Sequence, residues 1–374
     1  MVRALAITPE GGKEIRLAEP EPKSTPEQEP EPKSPRLREV PPPRRGAEFR
    51  LDPKLLVRIH DLMVKSRVVE ERLIKMYKQN DGYFWLGGPG EEAFQIPLGL
   101  QIDKGEGLDH DFLHLHYRSS GILLTLGADP MDMVRQMKNT ATDPFSRGRN
   151  FSGHASKRSW NVVPITSTIE TQYATAIGTG IAQRRHGGRS ITIVTGGEAG
   201  TAEGDFASCL VWASRPAQEL PMLIIVTNNE WGISTPASTQ HGEAHVADRG
   251  KPFRMRTKFA NGNDVEESWF AIQEAMEYVR TERKPFLLEV HVSRMYGHSS
   301  ASGANLVPGE EDPLAIFEAR LESAGVMNRA DMTRRRDQYA AELLDMHRKV
   351  RSEPMPDPST IYDHTYAGQK GRYW

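Results

Sequence analysis

Apolar residues set the first element of the chain. Leu55, Leu56, Ile59, Leu62, Met63, Val69, Leu73, Ile74 and Tyr77 recur at helical spacing. Asp52-Pro53 supplies an N-cap and a first helical residue, and "QNDG" at 79–82 ends the run. A mixed segment follows through "GPGEEAFQIPLGLQI" and "HYRSSGILLTLG", with a helix near 129–139. Residues 144–164 carry no period and read as a long loop, a kind of segment that is often functional. The pattern then alternates: helix 170–184, strand 191–195, helix 205–215, strand 222–229, helix 264–282 and strand 285–293. Apolar strands alternating with helices predict an α/β fold with a doubly wound, mostly parallel sheet flanked by helices. Ligands bind such sheets beyond the carboxyl ends of the strands. Three polar clusters fall there: Gly196–Asp205, Asn228–Trp231 and Arg294–Ser300.

Composition changes the picture at the N-terminus. Residues 20–45 are dense in Pro and charge and cannot bury enough apolar surface to offset the entropy of ordering. The expected organisation is a flexible or extended arm over 1–48, one domain over 49–350 and a polar, aromatic-rich docking tail over 351–374. A formal charge of −2 gives no case for nucleic acid or a membrane surface as partner. No apolar run reaches the roughly 18 residues of a membrane span, and the N-terminus lacks a secretory h-region. The single cysteine, Cys209, excludes an intramolecular disulfide and reads as a buried small hydrophobe. A reducing, cytoplasmic setting fits.

The candidate chemistry lies in "TGGEAGTAEGD", residues 195–205. A Gly-rich turn after a strand cradles phosphate through backbone N–H groups. Glu198 at its centre would repel such a ligand unless a metal stood between them. Magnesium takes oxygen ligands from protein and phosphate together. A carboxylate at one strand end and an amide oxygen at the next, from Asn228 or Asn229, could complete that shell. Neither "GGEAG" nor "GTGIAQ" meets the dinucleotide G-x-G-x-x-G signature, and no G-x-x-x-x-G-K-[ST] loop is present.

Glu198 to Asn229 resembles the thiamine diphosphate motif, an acid flanked by glycines and then Asn-Asn about thirty residues on, with Ala199 in place of the second Gly. "GPGEEAFQ", "HYRSSGILLTLG", "GRNFSGHAS", "ITSTIETQ", "NNEWGIST" and "RMYGHSS" then follow the order and spacing of the alpha subunit of the decarboxylating component of 2-oxo acid dehydrogenase complexes. The likeness covers about residues 55–350. It implies a thiamine diphosphate-binding fold and a set of roles. Glu198 and Asn229 would hold magnesium by side chain, and Trp231 by its backbone carbonyl. Tyr117, Arg118 and His298 would meet the diphosphate or the reacting centre. Ser167, Ile169, Gly197 and Ala199 would line the cofactor, and Phe84 would face the acyl pocket. His298, Tyr117 and Ser167 are the catalytic candidates, and a histidine there can move protons near neutral pH. Thr166, Thr168, Thr171 and Gln172 correspond to a potassium site. His154 is either a ligand contact or a loop hydrogen-bond donor.

The resemblance also implies the reaction and the partners. A 2-oxo acid is decarboxylated and its acyl fragment passes to the lipoyl group of an acyltransferase component. The activating Glu would come from a beta subunit, in a heterotetramer of two alpha and two beta chains. "GEE" at 90–92 and Glu at 198 favour branched-chain substrates, with pyruvate or acetoin next. Ser302-Gly303 stands where the family has paired Asp, and Thr227 where branched-chain members have a phosphate-binding Arg. These departures, with Ala199, are the case for a different reading, a non-catalytic binding paralogue.

Overall fold

The computed structural model describes residues 48–363. The arm expected over 1–48 therefore lies outside the described residues except for Glu48, as does the tail beyond Asp363.

The first helix, α1 (Pro53–Lys78), starts where the sequence placed it. The Asp52 carboxylate accepts from the Lys54 N–H at 2.8 Å, and Pro53 takes the first turn. Next come α2 (Glu92–Gln101), β1 (Phe112–His114), α3 (Ser120–Leu126) and α4 (Pro130–Lys138). The alternating half follows as α5 (Thr171–His186), β2 (Thr192–Gly197), α6 (Gly204–Ala213) and β3 (Met222–Asn228). A small two-stranded ribbon, β4 (Trp231–Gly232) with β5 (Thr235–Pro236), then leads to β6 (Arg256–Asn261), α7 (Val265–Glu282) and β7 (Phe286–His291). Two further helices, α8 (Pro313–Ser323) and α9 (Arg329–Val350), close the domain.

The five main strands form a wholly parallel sheet in the order β1-β2-β3-β7-β6. Alternate residues of each strand serve opposite faces. Ile193, Leu223, Ile225, Phe286 and Leu288 enter the larger core, shared with α1, α2, α7 and α8. Val194, Met222, Ile224, Val226 and Leu287 enter the other, under α5 and α6. Helices on both faces confirm the doubly wound arrangement. Cys209 belongs to the second core, where burial pushes its thiol up to about 12.

The strand order reverses between β3 and β7, the position where such sheets take ligands. The register lines up the strand ends there: Gly197 lies beside Thr227, and Asn228 beside His291.

A buried acid fastens the other end of this sheet. Asp111, fully buried, accepts from Arg280 of α7 at 2.8 and 2.6 Å, from the Ile191 N–H at 3.0 Å and from the Asp103 N–H at 2.9 Å. Removing one partner of such a pair leaves an uncompensated charge and unsatisfied donors. Asp111→Ala should therefore cost about 3–5 kcal/mol of stability, read from denaturant unfolding.

The described end of the tail packs on the chain itself. Glu353 pairs with Arg135 of α4 at 2.8 Å, the Ala141 N–H donates to the Pro354 carbonyl at 2.9 Å, and Arg149 donates to the Thr360 carbonyl. The last of these contacts ties down the start of the 144–164 loop, which carries a short 3-10 turn at Arg158–Trp160 and single bridges from Val162 to Leu113 and Lys157.

Candidate active site

Each strand end contributes chemistry to the switch point. Beyond β1, Arg118 is buried against Glu91, donating to its carboxylate at 2.8 Å, and donates to the Tyr117 hydroxyl at 2.9 Å. Burial alone would lower the guanidinium's pKa; the Glu91 and Glu198 carboxyl groups oppose it and Arg118 stays charged. A Cβ on Gly197 would stand 2.8 Å from an Arg118 nitrogen, so the glycine lets the cation lie against the turn. Burial raises the Tyr117 phenol above its usual range and keeps it neutral.

Beyond β2, Glu198 is 1% exposed. Its Oε2 accepts from the Asn229 N–H at 3.4 Å, and its Oε1 has no partner. Burial lifts the carboxyl to about 7, against the opposing pull of Arg118. Beyond β3, the Asn229 Oδ1 accepts from the Trp231 N–H at 3.1 Å, which folds the chain back into the β4–β5 ribbon. Asn228 turns away, donating to Glu289 at 2.8 Å. Of the two asparagines the sequence offered, Asn229 is thus the one beside Glu198. A Cβ on Gly232 would stand 2.6 Å from the Ala199 Cβ, so Ala199 and the ribbon pack closely.

Beyond β7, the loop 294–304 is fixed by the Ser300 N–H donating to the Trp85 carbonyl, by the Trp85 N–H donating to Ser300 Oγ, and by a capping box of Ser299 and Ser302. It sets His298 Nε2 at 3.5 Å from the Tyr117 hydroxyl. Burial, then Arg118 and Arg294, lower His298 to about 4. The imidazole is therefore neutral at pH 7.

The long loop supplies the last wall. The Phe84 and Phe151 rings meet edge to face at 5.2 Å, and Phe151 meets His154 at 4.4 Å. His154 Nδ1 lies 3.1 Å from the Ser152 carbonyl, so it carries the proton, and Nε2 accepts from Ser167 Oγ at 2.6 Å. His154 therefore joins the cluster through Ser167. Ile169 is 47% exposed, a large apolar side chain only half covered by the described residues. Thr166 Oγ1, Thr171 Oγ1 and the Thr168 carbonyl converge within 2.7–3.0 Å of one another, while Gln172 donates to the Thr195 carbonyl.

Three residues escaped the sequence reading. Glu91 lay inside a quoted block, but only the structure pairs it with Arg118. His116 is buried, stacks on the Tyr117 ring at 3.7 Å and has an unpartnered Nδ1. Glu170 is 2% exposed, adopts φ +65° and lays its carboxylate over Gly196 and Gly200, where a Cβ on either would collide with it.

The donor set suits a hard divalent cation. It offers an unpartnered carboxylate oxygen, an amide and a backbone carbonyl at a ribbon turn. Among the described residues no three His, Cys, Asp or Glu side chains gather to hold a metal, so a metal here would draw on amide and carbonyl oxygens as well, with water or ligand oxygens completing the shell.

Fold and site together define an α/β protein of the doubly wound class with its polar cluster at the carboxyl edge of the sheet. Residues 60–359 match the family described as "Dehydrogenase E1 component", and the chain belongs to that family. The family depends on thiamine diphosphate and pairs its alpha chains with beta subunits. The chain is 27% identical over 319 residues to 2-oxoisovalerate dehydrogenase subunit alpha of Bacillus subtilis, spanning 83% of this chain and 95% of the relative. It is 26% identical over 320 residues to the subunit of that name in Pseudomonas aeruginosa (82% and 76%), and 23% to the human mitochondrial one over 320 residues (83% and 70%). No helix among the described residues is long and apolar enough to cross a membrane.

Proposed function

We propose that this chain is the alpha subunit of a branched-chain 2-oxo acid dehydrogenase, active with a beta subunit and passing its acyl product to the lipoyl group of an acyltransferase. One observation carries the reading: Glu198, with a buried and unpartnered oxygen, stands beside Asn229 and a buried, charged Arg118 at the switch point of the sheet. An acid and an amide for a metal, next to an arginine for an anion, suit a metal diphosphate.

Glu198, Asn229 and the Trp231 carbonyl would hold magnesium, and Arg118 would meet the diphosphate. Thiamine diphosphate, when bound, supplies the nucleophilic carbon and the electron sink for decarboxylation. The remaining tasks belong to the chain. Tyr117 and His298 face the reacting centre, with the neutral imidazole able to take a proton at Nε2. Ser167, whose hydroxyl is aimed by His154, and Ile169 would line the cofactor. Ala199 and Gly197 would form its floor. Phe84 and Phe151 would exclude water from the acyl pocket. The exposed Ile169 suits a wall that a beta subunit completes. The three converging threonine oxygens, with Gln172 turned, would take potassium.

The test is to purify the full-length chain alone and with a co-expressed beta chain, and to assay 2-oxo acid decarboxylation with a lipoyl acceptor. Silence alone and turnover of branched-chain 2-oxo acids in the assembly are expected. Robust activity without a second polypeptide would reject the two-chain reading, and preference for pyruvate or acetoin would reject the substrate.

A further inference from the structure

Two carboxylates, not one, lie on the Gly-rich turn. Glu198 is part of it. Glu170 reaches it from the N-terminus of α5 and covers Gly196 and Gly200, the glycines on either side of Glu198. Glu170 does so from a left-handed backbone at φ +65°, which costs a non-glycine residue conformational energy. Both side chains are almost fully buried, and each has one oxygen without a partner, Oε2 of Glu170 and Oε1 of Glu198. A helix N-terminal acid held only as a cap would bond the free N–H groups of its own first turn; Glu170 caps nothing with its side chain.

Buried charges persist when they are paired or bind metal. Arg118 is the cation that acts on both acids, with its Nε already given to Glu91 and its Nη1 to the Tyr117 hydroxyl. Thr227, at the neighbouring strand end, brings no charge. The turn thus gathers two carboxyl groups beside one shared arginine, each with an unpartnered oxygen, a donor set that suits a divalent cation.

From this placement we propose that Glu170 is a second carboxylate donor to the cation held by Glu198 and Asn229, and that the chain takes up a divalent metal before any diphosphate arrives. The inference rests on the reading of Glu198 as a metal ligand. It assigns Glu170 a charge-based role rather than that of a wedge under the turn.

Manganese titration of the full-length chain, followed by electron paramagnetic resonance without any phosphate compound, is the test. One site is expected in the wild type. Glu170→Ala and Glu170→Gln should each weaken it at least tenfold, with melting temperatures showing that both variants are folded. If Gln keeps wild-type affinity while Ala loses it, Glu170 is a steric wedge and the proposal falls. It falls too if neither variant changes affinity, if either binds more tightly, or if the wild type takes no manganese without pyrophosphate. Glu198→Ala separates the two levels. Loss of manganese in that variant, with the Glu170 variants unchanged, overturns only the role of Glu170. Unchanged binding in the Glu198 variant overturns the metal reading of the turn itself.

Discussion

Glu198→Ala is expected to leave the fold intact and remove magnesium-dependent binding of thiamine diphosphate. The fold should survive because the side chain accepts only one long hydrogen bond, from the Asn229 N–H at 3.4 Å, and its other oxygen is already unpartnered. The turn itself is kept by backbone bonds, including Glu198 N–H to the Thr227 carbonyl at 3.2 Å. Losing a buried carboxyl that sits near 7 also lifts a desolvation burden. Binding should fail because the carboxylate beside Asn229 is gone, and neutral oxygens with at most the Glu170 carboxylate hold a divalent cation poorly. Calorimetry of the assembled protein decides, and a loss of at least about a hundredfold, or about 2.7 kcal/mol, is expected. The wild-type affinity should rise with pH through about 7, because metal binds the deprotonated acid and the burial-raised carboxyl must first lose its proton. Unchanged affinity in the variant would remove Glu198 from the metal site.

His298→Ala should cost turnover far more than stability. Its loop is held by Ser299, Ser300, Ser302 and the Trp85 backbone, none of which the substitution touches. What disappears is a neutral imidazole 3.5 Å from the Tyr117 hydroxyl. Removal of a positioned proton acceptor or donor typically lowers the rate by ~10² to 10⁴. The low pKa of about 4 has a second consequence for stability. The unfolded chain, with an ordinary histidine near 6.5, binds the proton more readily than the folded one. Stability contributed by a neutral His298 is present above 6.5 and is lost as pH falls through that window toward 4. The alanine variant should lose less stability on acidification than the wild type, by thermal melts at pH 7 and pH 5. Wild-type turnover with 2-oxo acid and lipoyl acceptor would contradict the assignment.

The strand ends were legible because turn chemistry marks them. Glycines after "ITIV" and asparagines after "MLIIVT" stop buried apolar runs, and the parallel register then aligns them. What was missed had weaker signals. β1 has three residues, too few for a period, and only its pairing with β2 identifies it. β6 is an edge strand with one exposed flank, so "RTKFAN" reads as mixed. α9 is rich in Arg and buries only Met332, Leu343, His347 and Val350, a stripe too thin to stand out. β2 runs on to Gly197, two residues past its apolar signal, because glycine pairs without a side chain to show it. Glu170 could not be found at all from the chain order. An acid at a helix start has a routine explanation, and its proximity to Gly196 and Gly200 exists only after folding.

That proximity also restricts the order in which the sequence can change. Gly196, Gly200 and Glu170 share one volume: a methyl group on either glycine would need the space the carboxylate fills. A lineage that shortens residue 170 first opens Gly200 to alanine, while Gly196 stays closed by the buried Tyr173 ring, whose Oη and Cε2 would lie 2.6 and 2.7 Å from a Cβ there. One that changes a glycine first must pass through an intermediate with a displaced acid at the turn. Glu170 and Gly200 form an epistatic unit, and the easier mutational route runs through residue 170.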